Sequence, residues 1–171
     1  MGRRFAFVLF VLPLAGFAMV SSGATAQTAT DLVGTWELVS MVNTAKDGTK
    51  TDVFGVTPRG VLVFSRDGRF AQVMTRPDLP RFASDNRLQG TPDENKAIVQ
   101  GSMAYFGTYA VTDKVITQHI EGGTWPTWTG TDQTRSIVTY SSDQMALTNA
   151  AAAIGGSNAS VWRRVKRPAT D

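Results

Sequence analysis

Val61-Leu-Val-Phe-Ser-Arg-Asp-Gly-Arg-Phe-Ala-Gln-Val-Met-Thr75 holds two short apolar and β-branched runs on either side of Arg66-Asp-Gly68. Asp-Gly between two such runs predicts a β-hairpin, because glycine supplies the positive φ that the tight turn requires. The same pattern extends in both directions. Upstream lie Leu32-Val-Gly-Thr-Trp-Glu-Leu-Val-Ser-Met-Val42, followed by Lys46-Asp-Gly48, and a run from Thr51 to Val56 closed by Thr57-Pro-Arg-Gly60. Downstream, Ala104–Thr112 turns at Asp113-Lys114 into Val115–Glu121. Asp132–Tyr140 and Gln144–Asn149 meet at Ser141-Ser-Asp143, and Ala159–Lys166 is the last run. Nine evenly spaced strands, nearly all joined as hairpins, predict an all-β fold: an antiparallel up-and-down barrel of 8–10 strands, whose closure removes exposed edges.

One stretch breaks the pattern. Pro77, Pro80 and Pro92 stop strands, and Pro92–Met103 reads as one short helix with Pro92, Asp93 and Glu94 in its first turn, where the helix dipole favours them. Ile98, Val99 and Met103 are expected to face inward. Gly122–Gly130 and Ala150–Ser157 read as loops, and Pro168–Asp171 as a frayed tail.

The 171 residues contain no Cys and one His, which excludes a disulfide framework, thiolate metal sites, a Cys nucleophile and multi-His zinc sites. No metal or cofactor is expected. Residues 1–26 read as a cleaved signal peptide: Arg3-Arg4, an apolar run from Phe5 to Val20, and an Ala24-Thr-Ala26 cleavage site. The apolar run is shorter than the roughly 20 residues of a membrane span. Without Arg3 and Arg4 the chain has 15 basic and 14 acidic residues, a net charge of +1, and no clustered basic face for nucleic acid. Residues 27–171 are therefore expected to be one periplasmic or secreted domain, monomeric or homodimeric, with no remaining membrane span. No P-loop, dinucleotide fingerprint or G-x-S-x-G occurs, and no acids pair closely on one strand.

The order of several motifs carries a resemblance. Leu32-Val-Gly-Thr-Trp36, Pro58-Arg-Gly60, Gly107-Thr-Tyr109, His119, Pro126-Thr-Trp-Thr-Gly130 and Arg135 follow one another as in the bacterial and fungal lipocalin-like domain family, which the chain resembles over nearly all of residues 27–171. The resemblance implies a lipocalin-like barrel that mostly has no assigned biochemistry. It also implies that a basic residue of the last strand, Arg163 or Arg164, packs over Trp36. The T-D-Y element of transport lipocalins is absent, since Thr112-Asp113 is followed by Lys114.

His119 has the one side chain that ordinarily titrates near neutral pH. Its strand sets Ile116, Gln118 and Ile120 on one face and Val115, Thr117, His119 and Glu121 on the other. An apolar interior sends His119 to solvent; an interior built for a polar ligand reverses the assignment. Tyr109 and Arg135 are its candidate partners by strand adjacency. Such a set inside a barrel binds a carboxylate or enolate, with Arg135 as a bidentate donor and His119 as acid or base. Trp125 and Trp128 sit in a loop that either gates a ligand or plugs the barrel. Tyr105, Tyr109, His119, Trp128, Arg135, Phe64 and Met74 are the candidate ligand-binding residues; Phe70, Phe106 and Met145 are further lining or core positions. Three functions follow: binding of a small, mostly apolar molecule with or without an anionic group, isomerase- or cyclase-type catalysis by His119, Tyr109 and Arg135, or a solid-core structural envelope protein.

Overall fold

Residues 27–166 of the computed structural model form nine strands, two α-helices and a 3-10 turn; the signal segment read at 1–26 and the tail Pro168–Asp171 lie outside the described residues. Helix α1 (Ala29–Leu32) precedes β1 (Gly34–Thr44), β2 (Lys50–Asp52), β3 (Arg59–Phe64) and β4 (Arg69–Thr75). Helix α2 (Pro92–Gly101) leads into β5 (Ser102–Thr112), β6 (Val115–Gly123), β7 (Asp132–Tyr140), β8 (Gln144–Asn149) and β9 (Ser157–Arg164).

All pairings are antiparallel. β1 pairs with β3 through Gly34–Glu37 and with β9 from Trp36↔Arg164 to Thr44↔Ser157, so β1 and β3 to β9 close an eight-stranded up-and-down barrel. The ninth strand, β2, adds to the far end of β1 at Val42–Thr44. The predicted β3–β4 hairpin is present: Ser65 N–H donates to Arg69 O, Gly68 N–H to Ser65 O, and Gly68 has φ +80°. The chain thus turns over three residues rather than two, the length at which a positive-φ residue forms a bulge before the second strand.

Alternation along each strand sets the interior. Trp36, Leu38, Leu62, Phe64, Phe70, Met74, Ile116, Ile120, Met145 and Trp162 are buried, and their neighbours in sequence face out. Each large apolar side chain removed from water contributes about 1.5–3 kcal/mol. At the end where β1 begins and β9 stops, the barrel is sealed. Leu32 of α1 is fully buried, its carbonyl accepts the Trp36 indole N–H at 2.9 Å, and Arg164 covers the Trp36 ring with its guanidinium carbon 4.0 Å from the centroid. Arg164, not Arg163, therefore takes the basic position; Arg163 faces out and pairs with Glu37 at 2.7 Å.

Two glycines of the sequence motifs have steric reasons. Gly34 has φ +137°, and a Cβ there meets Arg164 Nη1 at 2.7 Å, so the glycine of Gly-Thr-Trp leaves room for the arginine. Gly107 lies at a register shift between β5 and β6, and a Cβ there falls 1.8 Å from the carbonyl oxygen of His119.

Three expectations are corrected. Leu32 ends α1 instead of opening a strand, because Asp31 accepts from Thr28 N–H at 2.7 Å and from its hydroxyl at 2.9 Å, closing a helical turn. Those bonds hold the Asp31 carboxyl below its ordinary value. Val99 is 73% exposed, since α2 touches the barrel mainly where it runs into β5. Phe106 is 47% exposed because it stands between the inward Tyr105 and Gly107. Helix α2 is started by Thr91, whose hydroxyl accepts Glu94 N–H, while the Glu94 carboxylate accepts Thr91 N–H at 2.7 Å and Ala83 N–H at 2.8 Å. This double role ties the loop 76–91 to the helix and lowers the Glu94 pKa.

Candidate binding site at the open end of the barrel

Strand β7 places Arg135 and Ile137 on its inward face, and Arg135 is only 8% exposed. Its Nη1 donates to the Thr134 carbonyl at 2.8 Å and its Nη2 reaches the Tyr105 hydroxyl at 3.5 Å. The guanidinium carbon lies 5.6 Å from the Trp128 ring centroid, and Trp128 stands edge-on to Tyr105 with centroids 5.5 Å apart. None of the ion pairs among the described residues includes Arg135. A buried cation without an anionic partner is costly, and its cost falls when an anion reaches it.

These groups line a cavity opening at the end opposite α1. Met41, Phe54, Met74, Met103, Tyr105, Trp128, Arg135 and Leu147 form most of its wall, with Asn149, Asn158, Ser160, Ala153 and Ile154 on one side. Its enclosed space, taken over where the centre of a water molecule can sit, is about 50 Å³, and it opens to solvent at the mouth. The enclosed part takes a few waters at the roughly 10–15 Å³ each requires. A larger guest enters when the side chains and the mouth give way. The most adaptable walls are the three methionines, with their unbranched, polarizable side chains; the segment Ala150–Gly156 forms another part of the wall.

That segment is held by side chains that the sequence pattern left unnoticed. Asn43 Nδ2 donates to Gly155 O at 2.8 Å and to Asn158 Oδ1 at 2.9 Å, while Asn149 exchanges hydrogen bonds with the Ala151 backbone. Both asparagines are buried. Gln72 and Gln118 are further interior polar residues, and Gln118 Oε1 is buried with no hydrogen-bond partner. Gln118 could have been found from its alternation with Ile116 and Ile120, which put it on the apolar face.

Of the residues named from sequence, the structure brings Tyr105, Met74, Trp128 and Arg135 to this cavity. Phe64 and Tyr109 are buried at the sealed half, their rings 4.6 Å apart, and the Tyr109 hydroxyl donates to Ser65 O at 3.1 Å. Burial, then the charge of Asp67, pushes the Tyr109 pKa up. His119 is on the outside of the barrel. It pairs across β6–β7 with Asp132, its Nδ1 2.8 Å from the carboxylate, and its side chain is 51% exposed. His119, Tyr109 and Arg135 are therefore not gathered into one site: strand parity turns the first outward, and the other two serve opposite ends of the barrel. Trp125, 42% exposed, does not plug the interior, whereas Trp128 packs against it.

A wider hollow of about 350 Å³ lies on the outer face, lined by Val63, Ser65, Arg69, Phe70, Ala71 and Phe106. It is open to solvent and its arginine is already paired with Glu121 at 2.7 Å. The smaller interior cavity differs in that its apolar walls converge on a charge with no ion-pair partner among the described residues. Among the described residues no cluster of His, Cys, Asp and Glu is arranged to hold a metal ion, and no helix is long and apolar enough to cross a membrane.

Comparison with solved structures finds a lipocalin-like protein from Bacteroides uniformis, at 17% identity and TM-score 0.44, covering 79% of this chain and 99% of that one. A protein from Bacteroides eggerthii has 15% identity and TM-score 0.40, with 78% and 99% covered. A redesigned β-barrel has 14% identity and TM-score 0.44, with 84% and 100% covered. No curated protein matches the sequence. The family model for a lipocalin-like domain matches residues 33–165, from the residue before β1 to the residue after β9. The chain belongs to the lipocalin-like domain family.

Proposed function

We propose that the protein is exported after removal of residues 1–26 and that residues 27–171 are a single barrel domain binding a small, mostly apolar molecule with an anionic group. The observation that carries this reading is Arg135, buried at the apolar open-end cavity with no acid paired to it among the described residues. A lipocalin-like barrel is in general a ligand-binding scaffold, and eight strands is the size at which the interior either packs solid or holds one small guest. Here the sealed half is packed, and the open half leaves a small cavity beside Arg135. The reading needs no cofactor and no second chain.

The test is native mass spectrometry on protein purified gently from its own host. A reproducible added mass that is released on denaturation supports the reading and identifies the guest. The absence of added mass, together with no thermal shift across a panel of lipids and aromatic acids, overturns it in favour of a structural barrel.

A further inference from the structure

We infer that the open-end cavity recognises an aromatic monocarboxylate, gripped by Arg135 and the Tyr105 hydroxyl; this rests on the ligand-binding reading above and names the class of ligand. Three features of the cavity lead to it.

The first is donor geometry. A guanidinium has five N–H groups. Arg135 donates from Nη1 to the Thr134 carbonyl at 2.8 Å, and its Nη2 lies 3.5 Å from the Tyr105 oxygen, at the limit of a hydrogen bond, so at least three of its five donors remain for a guest. The Tyr105 hydroxyl accepts from Arg135 and donates to no acceptor among the described residues, which adds a fourth donor at the same place. A planar carboxylate accepts from such a fork bidentately.

The second is charge. Arg135 is the one charged residue lining the cavity. A monoanion neutralises it, whereas a doubly charged phosphate ester brings in a second buried charge with nothing opposite it.

The third is the wall. Trp128, Tyr105 and Phe54 line the cavity together with Met41, Met74 and Met103. Thioether sulfur and aromatic edges are favourable partners for another ring, and the unbranched methionines move aside for one. A saturated chain offers neither the ring face nor the ring edge that these partners favour.

The experiment is an NMR titration of the full protein with four probes: benzoate, benzamide, phenyl phosphate and hexanoate, with cavity residues Trp128, Arg135 and Ser160 as reporters. Benzoate is expected to shift these residues and to bind about 10- to 100-fold more tightly than its neutral isostere benzamide, the range of a hydrogen bond to a charged group. Phenyl phosphate and hexanoate are expected to bind more weakly than benzoate. Arg135→Gln is expected to remove the preference for benzoate over benzamide, and Arg135→Lys, which keeps the charge without the fork, to restore part of it. The comparison among probes on the unaltered protein stands even if a variant fails to fold. Benzamide binding the cavity as tightly as benzoate overturns the carboxylate while leaving a ligand-binding barrel. Hexanoate binding more tightly than benzoate overturns the aromatic body alone. If none of the four shifts a cavity residue, the inference falls, and the mass-spectrometric test then decides whether the ligand-binding reading falls with it.

Discussion

Arg164 stacks on Trp36 with its guanidinium carbon 4.0 Å above the ring centroid, and in that position it also donates to the Val33, Asp31 and Ser142 carbonyls at 2.6–2.7 Å. Arg135 stands 5.6 Å from Trp128 with two donors engaged. The barrel thus has an arginine beside a tryptophan at each end, one with its donors bound to the chain and one with donors to spare. The first closes the fold, and the second is the one that the proposed reading assigns to a guest.

Arg164→Ala is therefore expected to lower stability by about 2–4 kcal/mol, from the lost cation–π contact and the carbonyls left without a charged donor. Urea unfolding checks the size. Affinity for any guest in the open cavity is expected to change little, because the two arginines occupy opposite ends.

His119→Ala is expected to leave stability within about 0.5 kcal/mol and ligand binding unchanged. The pair with Asp132 is half-exposed on the outer wall, where water already solvates both partners. Loss of binding in this variant would return His119 to the site and contradict its outward placement. Paired titrations of wild type and variant with one ligand make the comparison.

The outward His119 was legible in the sequence as one of two options, and the choice between them rested on whether Ile116 and Ile120 face the core. They do, and the same parity that removes His119 brings Gln118 in. Arg135 was named there as a strand neighbour of His119, and its alternation with Ile137 on β7 is what turns it inward. The wall formed by Ala153 and Ile154 was not, since a run of alanines and glycines has no periodicity. Its position comes from Asn43, more than a hundred residues away in sequence. Helix α1 was hidden for another reason: its single turn is fixed by Thr28 and Asp31, while Leu32, Val33 and Trp36 read as continuous strand.

Gly107 gives a steric prediction. A Cβ at this position falls 1.8 Å from the His119 carbonyl oxygen, so Gly107→Ala forces the β5–β6 ladder apart where it carries the bulge. A loss of about 3 kcal/mol or more is expected, measured as the fall in denaturation midpoint. A change below about 0.5 kcal/mol, the size of an ordinary surface substitution, would mean that the two strands separate more easily there than their pairing indicates.

Tyr109 makes stability depend on alkaline pH. Burial, then the nearby Asp67 charge, raises its folded pKa above the unfolded value of 10.0. The unfolded chain therefore loses this proton first. The stabilisation is fully present below pH 10 and declines as the pH climbs through the folded pKa. Tyr109→Phe is expected to cost about 1 kcal/mol at neutral pH through the lost bond to Ser65 O, and to show a flatter fall in melting temperature above pH 10. Parallel melting curves across that range read both effects, and an equally steep fall in the variant would place the alkaline sensitivity elsewhere.

Met74 tests whether the open cavity is a site or a packing defect. It is 2% exposed and lines the cavity with Arg135, so Met74→Ala enlarges the void from within. Truncating a buried methionine costs about 2–5 kcal/mol, part of it for the empty space left behind. A guest that enters the widened void returns some of that loss by mass action, in proportion to its concentration over its dissociation constant. The expected outcome is a destabilised variant whose melting temperature rises further than the wild type's on adding 1-naphthoate, a two-ring monocarboxylate whose second ring takes the space the methionine leaves. A variant that is destabilised but indifferent to 1-naphthoate would mean that the neighbouring Met41 and Met103 collapse into the gap. The open half would then be a core that repacks, and Arg135 a charge buried without a client.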